Sequence, residues 1–214
     1  MKLYVYDHCP FCVKARAIFG LKDLPVELVV MLNDDAATPE RMVGRKVAPI
    51  LEHEGRFTPE SMDIVALVDA SVSPRALAGP TNPAVARWIA EGSATLYRLA
   101  MPRWAAAPLP EFATASARAF FKFMKEATIG PFEERLAETG ELIEVANAQL
   151  DRLETLVRSP EAVNGALSED DIHLFAHLRS MSIVAGLTYP SKVDAYRRGM
   201  SERTKVPLHD GIAA

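Results

Sequence analysis

The sequence predicts a small α/β domain followed by an all-helical domain. Strand-like and helix-like segments alternate over residues 1–72, and a stretch rich in proline and small polar residues covers 73–83. The patterns over 84–214 are helical throughout. We therefore expect an α/β domain, a linker and an all-α domain with these boundaries.

The composition narrows the class of protein. Hydrophobic residues make up 49% of the chain, which is enough for a core, and the net charge of −4 offers no basic excess to nucleic acid or an anionic membrane. The N-terminus lacks a signal-peptide pattern, and no apolar run approaches the ~18 residues of a membrane helix. We expect a cytoplasmic protein with neither nucleic acid nor membrane as a partner.

The only two cysteines, Cys9 and Cys12, lie three positions apart between a predicted strand and a predicted helix. The strand ends at Tyr6, and Gly20 is expected to be the C-cap of the helix. Cytosolic thiols are kept reduced, so a lone Cys-x-x-Cys in this position is typical of thiol–disulfide chemistry. Two inert core cysteines are the alternative, and the strand–helix context disfavours it.

The rest of the first domain continues the alternation. Residues 25–31 predict a buried parallel strand, 38–44 a second helix, and 47–53 with 56–57 a hairpin. A third helix opens at residues 59–61. The order β-α-β-α-β-β-α is that of the thioredoxin fold, so we expect a thioredoxin-like domain with right-handed crossovers.

Five helices are predicted in the second domain. They cover about 83–101, 113–127 and 131–158, and two more follow a capping-box-like Ser168-x-x-Asp171 and Pro190. The first of them is expected to stop at Pro102, because proline cannot donate to the helical ladder.

The two cysteines are expected to have different tasks. Only a thiolate attacks a disulfide, and Cys9 lies at the N-cap side of the first helix, where free N–H groups and the helix dipole favour an anion. Pro10 suits the first turn, and the spacing to Cys12 is one that a disulfide tolerates. We expect Cys9 to be an exposed nucleophile and Cys12 a partly covered resolving thiol, paired as a redox-active disulfide. His8 and Lys14 are candidate sources of positive potential.

A metal site is the alternative use of such residues. Structural zinc takes four ligands, and the chain has no second cysteine pair. His173 and His177 share one helix face but belong to the other domain, and a solvated polar face explains them better. We expect no metal and no tightly bound cofactor.

Two further segments are candidate ligand sites. In a thioredoxin-like fold Pro49 is expected to be cis and to face the cysteines, so that Ala48 offers its backbone N–H and C=O to an extended substrate. An ordinary proline at a strand start is the alternative. Ser61, at a helix start, can hold a carboxylate or merely cap the helix, and Glu60 can pair with an ammonium. A γ-glutamyl group carries both of those charges.

Several motifs together resemble a known family. They are residues 6–12 (Tyr-Asp-His-Cys-Pro-Phe-Cys), 31–35 (Met-Leu-Asn-Asp-Asp), 59–65 (Pro-Glu-Ser-Met-Asp-Ile-Val), 164–165 (Asn-Gly) and 167–172 (Leu-Ser-Glu-Asp-Asp-Ile). With them the chain resembles the glutaredoxins, and among these the glutaredoxin 2 type, a large bacterial form with glutathione-transferase-like architecture. The resemblance covers both domains and implies a monomer.

The resemblance implies a dithiol enzyme that reduces protein disulfides and protein–glutathione mixed disulfides. Glutathione is then the co-substrate, and disulfide-bearing or glutathionylated proteins are the partners. Cys9 takes the nucleophile's role and Cys12 the resolving role. The implied glutathione-binding residues are Pro10, Phe11, Ala48, Pro49, Glu60 and Ser61.

Two of these positions depart from the family's usual residues. Phe11 stands where tyrosine is frequent, and Ala48 stands where valine is frequent. The candidates for binding the glycyl carboxylate of glutathione are Arg41, Arg45 and Lys46.

A glutathione transferase or glutathione-binding protein that uses Cys9 alone is the alternative function, because one architecture hosts several activities. Cys12 favours dithiol exchange instead. A non-catalytic binding module is a third class, and it would show no turnover.

Overall fold

The computed structural model describes residues 1–214, and its first part is a four-stranded sheet with three helices. The elements are β1 (Lys2–Val5), α1 (Pro10–Leu21), β2 (Glu27–Val30), α2 (Ala37–Val43), β3 (Ile50–His53), β4 (Arg56–Pro59) and α3 (Ser61–Ser71). The strand order is β2-β1-β3-β4. β1 is parallel to β2 and antiparallel to β3, and β3 is antiparallel to β4. The predicted order of strands and helices is confirmed.

The second part is helical. Its elements are α4 (Pro83–Ala106), α5 (Ala115–Ile129), α6 (Phe132–Ala137), α7 (Thr139–Glu154), α8 (Glu169–Met181) and α9 (Ser191–Thr204). Short 3-10 turns cover Pro110–Phe112 and Asp210–Ile212. α8 and α9 pack against α1, so one hydrophobic core runs through both parts. None of the helices combines the length and apolar character needed to cross a bilayer.

β2 differs from the buried strand that the sequence predicts. It is parallel to β1, as expected, but it forms the edge of the sheet, and Leu28 and Val30 are 43% and 39% exposed. The expectation of burial was therefore wrong. An apolar run of this length fits a central strand and an edge strand equally well, since only the neighbouring elements decide which one forms.

Gly20 is not the C-cap of α1. The helix continues to Leu21, and Lys22 is its C-cap. The glycine serves packing instead, because a Cβ at this position would lie 1.9 Å from the carbonyl oxygen of Thr204 in α9. Gly20 thus lets the end of α9 lie against the helix that carries the cysteines.

Two boundaries in the helical part also differ from prediction. α4 continues through Pro102 to Ala106, because burial of the following Arg103 and Trp104 outweighs the hydrogen bond that the proline removes. The segment 131–158 was predicted as one helix, but it is split at Glu138, whose ψ of 3° departs from helical values.

The capping box at the start of α8 is confirmed. The carboxylate of Asp171 accepts hydrogen bonds from the backbone N–H of Ser168 at 2.8 Å and of Val163 at 2.7 Å. The hydroxyl of Tyr196 donates to it at 3.0 Å. The apolar residues on the inward face of α8 are all buried; they are Ile172, Phe175, Leu178 and Met181.

The two histidines of α8 do not form the solvated face expected of them. His173 is half-buried, and His177 is buried with its ring edge-on to Trp88 at 5.1 Å. Burial lowers the pKa of His177 to about 4, and the nearby charge of Lys14 acts in the same direction. No three potential metal ligands of the His, Cys, Asp and Glu types come together in the structure.

We predict that His177 makes the protein acid-sensitive. Its folded pKa of about 4 lies below the unfolded value of about 6.5, so the unfolded chain binds more protons between these values. This contribution to stability is complete above pH 6.5 and is lost as the pH falls to 4, at a cost of about 3 kcal/mol. Urea unfolding across this range should show a weaker pH dependence for His177→Gln than for the wild type.

The matched control is His53→Gln in β3, which should leave the pH dependence unchanged. Equal pH dependence in His177→Gln and the wild type would contradict the role of His177.

Candidate functional site

Cys9 and Cys12 begin α1, and both are free thiols. Cys9 is the N-cap, as predicted, and Pro10 is the first helical residue. Cys9 is half-buried rather than exposed, and Cys12 is fully buried rather than partly covered. The backbone N–H of Tyr6 donates to Sγ of Cys12 at 3.3 Å. Both thiols are therefore more buried than the sequence predicts, and Cys12 is the less accessible of the two, as expected.

The pKa values of the two thiols are shifted in opposite directions. A hydrogen bond from Cys12 lowers the pKa of Cys9 to about 6, against the opposing effect of burial. The positive charge of His8 and the backbone N–H groups of Phe11 and Cys12 act in the same direction as the Cys12 bond. Burial, and then that same hydrogen bond, raise the pKa of Cys12 well above its ordinary value. At neutral pH Cys9 is therefore a thiolate and Cys12 a thiol.

Lys14, the other residue expected to supply positive potential, lies beside the motif. Its Nζ is 4.9 Å from the centre of the Phe11 ring. Burial lowers the pKa of Lys14, while the nearby Cys9 thiolate acts to raise it. The ammonium thus interacts with the thiolate, although the hydrogen bond from Cys12 dominates the pKa of Cys9.

The turn that leads into Cys9 is fixed by Asp7. Its carboxylate contacts Arg16 at 2.6 Å, Arg179 at 2.9 Å and His209 at 3.0 Å, and Arg179 also donates to its backbone carbonyl. Burial disfavours ionisation, but the bonds from His209 and the two arginines outweigh it and lower the pKa of Asp7 far below its usual range. Arg179 and His209 belong to the helical part, so this cluster joins the two domains beside the cysteines.

A cleft of about 480 Å³ opens beside Cys9. Its wall in the α/β domain is made of Tyr6, His8, Cys9, Phe11, Asn33, Lys46, Val47, Ala48, Pro49, Glu60 and Ser61. The opposite wall is one face of α5, made of Phe120, Phe121, Met124 and Lys125. The thiolate therefore faces a cleft between the two domains.

Most of the predicted site residues meet in this cleft. Phe11, half exposed, and Ala48 with Pro49 line it together with Cys9, whereas Pro10 does not. The Ala48–Pro49 peptide bond is cis, as the sequence analysis predicted. Neither the N–H nor the C=O of Ala48 is used in a backbone hydrogen bond within the chain.

The start of α3 differs from the capping alternative. Glu60, not Ser61, is the N-cap residue, and no side chain caps the helix. Glu60 has a φ of 68°, a value that non-glycine residues rarely adopt. Ser61 is buried at the first helical position and lines the cleft. The helix start thus leaves its N–H groups without a side-chain partner.

The three candidate cations have different surroundings. Arg41 does not line the cleft, and Arg45 lies on the surface, paired to Glu60 at 2.6 Å. Lys46 lines the cleft, where its Nζ donates to the carbonyl oxygen of Asn33 at 2.5 Å and lies 3.8 Å from the Phe120 ring. Lys46 is therefore the best placed of the three to meet an anion beside Cys9.

The α5 wall of the cleft was not predicted from the sequence. Its residues lie at positions 120, 121, 124 and 125, a spacing that places them on one helix face. This spacing can be recognised in the sequence, but nothing in the sequence indicates that this face of α5 lies beside the cysteines. Tyr6 and Asn33 belong to the motifs shared with the family but were not predicted as site residues. Both line the cleft.

A low-pKa thiolate, a buried partner thiol and an unpaired backbone segment in one cleft define a thiol–disulfide oxidoreductase of thioredoxin-like fold. Comparison with known proteins narrows this class. Residues 84–213 match the family described as the C-terminal domain of glutaredoxin 2, and residues 3–76 match the N-terminal domain of glutathione S-transferases. The chain belongs to the glutaredoxin 2 family.

Individual relatives agree with this assignment. Glutaredoxin 2 of Escherichia coli K12 is 48% identical over 214 residues, which is 100% of both chains. The crystal structure of glutaredoxin 2 from Salmonella typhimurium, determined in complex with glutathione, is also 48% identical. It superposes with a TM-score of 0.98 over 100% of this chain and 98% of that one.

More distant structures share the architecture only. A glutathione S-transferase of Ceriporiopsis subvermispora has a TM-score of 0.69 over 97% of each chain at 12% identity. This likeness shows that the two-domain fold is the glutathione-transferase-like one expected from the sequence.

We predict that the thiolate of Cys9 forms with a midpoint near pH 6. The ultraviolet absorbance of thiolate, followed against pH, measures this midpoint directly. Cys12→Ala should raise it because the hydrogen bond to Sγ of Cys9 is lost. Cys12→Ser, whose hydroxyl still donates, should raise it less. A wild-type midpoint near the ordinary thiol value of about 8.5 would contradict the assignment.

Proposed function

We propose that the protein reduces protein disulfides and protein–glutathione mixed disulfides, with Cys9 as the nucleophile, Cys12 as the resolving thiol and glutathione as the electron donor. The supporting observation is the opposite shift of the two thiol pKa values, with Cys9 lining the cleft and Cys12 buried behind it. The thiolate can attack a disulfide at neutral pH. The protonated thiol behind it cannot attack until it loses its proton.

The first step on a glutathionylated protein is attack by the Cys9 thiolate on the sulfur of glutathione. A Cys9–glutathione disulfide forms, the old disulfide breaks, and the protein leaves as a thiolate that takes a proton from water. A second glutathione, as its thiolate, then attacks the sulfur of the bound glutathione. Glutathione disulfide leaves and Cys9 returns as a thiolate. One free glutathione has been consumed, and its sulfur has been oxidised while the protein sulfur has been reduced.

A protein disulfide needs Cys12. The Cys9 thiolate forms a mixed disulfide with one protein sulfur and releases the other. Cys12 then loses its proton and attacks Sγ of Cys9, so that the protein leaves reduced and a Cys9–Cys12 disulfide remains. Two glutathione molecules reduce that disulfide and leave as glutathione disulfide. The high pKa of Cys12 delays its attack until a mixed disulfide has replaced the thiolate on Cys9.

The cleft supplies groups that match glutathione. The unused N–H and C=O of Ala48 can pair with the extended cysteinyl backbone, as in strand addition. The N–H groups at Ser61 suit the γ-glutamyl carboxylate, and Glu60 suits its ammonium. Glu60 must then exchange its pairing with Arg45, which costs little because exposed ion pairs contribute about 0–1 kcal/mol. Phe11 supplies an apolar wall.

Lys46 is our choice for the glycyl carboxylate of glutathione. It lines the cleft, and its side-chain contacts are a carbonyl oxygen and an aromatic ring rather than a carboxylate. Its charge is therefore available to a ligand anion. Pro10 contributes through the first turn of α1 and not by contact in the cleft.

In the alternative function, a transferase that uses Cys9 alone, Cys12 takes no part in the reaction. In the structure Cys12 is buried, and its hydrogen bond is the largest influence on the pKa of Cys9. This arrangement favours dithiol exchange.

We further propose the division into residues 1–72, a linker at 73–83, and 84–214. It is supported by the end of α3 at Ser71 and the start of α4 at Pro83. We also propose that the protein is a cytoplasmic monomer, which fits a compartment that holds glutathione and keeps thiols reduced. Light scattering of the reduced protein tests the monomer.

We predict that Cys9→Ser abolishes glutathione-coupled reduction of both substrate types. Cys12→Ser should keep reduction of mixed disulfides, which needs one thiol, and lose most reduction of protein disulfides. The measurement is turnover of a glutathionylated peptide and of a disulfide-bonded protein at saturating glutathione. Full activity in Cys9→Ser would refute the proposal.

We predict that Lys46→Gln raises KM for glutathione about tenfold with little change in kcat, because a lost charge-assisted bond of about 1.5–3 kcal/mol weakens binding. Arg41→Gln removes a cation of the same segment that lies outside the cleft and is the matched control. If both variants behaved alike, Lys46 would not be the carboxylate ligand.

A further inference from the structure

The residue just before the nucleophile is held by a carboxylate of the helical domain. His8 is buried with 6% exposure, and its backbone N–H donates to Oε1 of Glu111 at 2.8 Å. Nδ1 of its ring donates to the same oxygen at 2.6 Å. Glu111, in the 3-10 turn between α4 and α5, has 0% exposure. One carboxylate thus binds both the main chain and the side chain of His8.

The surroundings leave this pair little freedom. Trp104, Phe112 and Phe121 surround the His8 ring, with centroids 5.0–5.1 Å away. The backbone carbonyl of Glu111 also accepts the N–H of Asn33 at 2.9 Å, so the turn is tied to two loops of the α/β domain. Asn33 and His8 both line the cleft.

Stability alone does not account for Glu111. Its second oxygen, Oε2, is buried and has no hydrogen-bond partner, which is a costly arrangement for a carboxylate. Burial disfavours its charged form, but the bonds from His8 outweigh burial and lower the pKa of Glu111. The protein therefore keeps a buried, half-satisfied charge next to its redox site, and well-packed apolar residues would serve a purely structural contact equally well.

We propose that Glu111 is a positioning residue of the redox site, which holds the backbone and the imidazole of His8 in place beside the Cys9 thiolate. Through Glu111 the helical domain takes part in the chemistry of the α/β domain. The inference rests on the proposed function only in taking Cys9 as the nucleophile.

Few titratable or charged groups influence the His8–Glu111 pair. The other titratable or charged groups that influence or surround the pair are Tyr6, Asp7, Arg179 and His209. Of the two members of the pair, His8 is the one that acts on Cys9, where its charge favours the thiolate. Because Glu111 binds both the backbone and the ring of His8, it fixes where the ring lies relative to Cys9. Without the carboxylate charge the ring is held less firmly, and its influence on the Cys9 thiolate weakens.

The test is the midpoint of thiolate formation at Cys9 in Glu111→Gln, an isostere that keeps an oxygen acceptor but has no charge. We expect the midpoint to rise by about one pH unit, which is the lower end of the effect of a nearby opposite charge. The pH profile of iodoacetamide alkylation should move by the same amount. His8→Gln should give a similar rise, and it serves as the second variant if Glu111→Gln does not fold.

The double variant makes the test specific. If Glu111 acts through His8, Glu111→Gln with His8→Gln should shift the midpoint no further than His8→Gln alone. Additive shifts, or an unchanged midpoint in folded Glu111→Gln, would overturn the proposal. Asp171→Asn is the control, because it alters another fully buried carboxylate of the helical domain, one that lies in the capping box of α8. It should lower stability and leave the Cys9 midpoint in place.

The outcome is separable from that of the proposed function. The titration and alkylation of Cys9 need neither glutathione nor turnover, so they report on Glu111 even if the wild type fails to reduce glutathionylated peptides. Conversely, an active wild type whose midpoint is unaffected by Glu111→Gln would keep the oxidoreductase and reject only the positioning role.

Discussion

The hydrogen bond from the Cys12 thiol to the Cys9 sulfur is the interaction on which the site depends. It exists because α1 holds one cysteine at its N-cap and the other one turn inside, under the core. The same bond lowers the pKa of one thiol and raises that of the other. The two thiols thereby differ in charge at neutral pH, with a thiolate at Cys9 and a protonated thiol at Cys12.

The rest of the chain keeps that geometry in place from both sides. α1 packs against α3 in its own domain and against α8 and α9 of the other. The turn before Cys9 is tied to the helical domain at Asp7, through Arg179 and His209, and at His8, through Glu111. The helical domain is therefore more than the second wall of a cleft, because it also binds the two residues that precede Cys9.

Much of the fold could be predicted because its signals are local. The strand and helix order, the cysteine motif and the capping box of α8 all follow from spacing, proline and cap residues within short windows. Errors arose where distant packing decides. β2 lies at an edge, Gly20 makes room for Thr204, and α4 continues through Pro102, each because of a neighbour that lies far away in sequence.

Part of the site could also be predicted from the sequence. Cys9, Ala48, Pro49 and Ser61 meet in the cleft, as the family pattern implies. The contact of Glu111 with His8 could not be predicted, because a lone glutamate in Leu-Pro-Glu-Phe resembles a surface residue. Its partner His8 also lies more than a hundred positions earlier in the sequence. Buried ion pairs of this kind become visible only when the chain is folded.

The most direct test of the dithiol mechanism is mass spectrometry of the reduced protein after treatment with glutathione disulfide. We expect an internal Cys9–Cys12 disulfide in the wild type and one glutathionyl group, located on Cys9, in Cys12→Ser. A stable adduct on Cys12, or no modification of Cys9 in either protein, would contradict it.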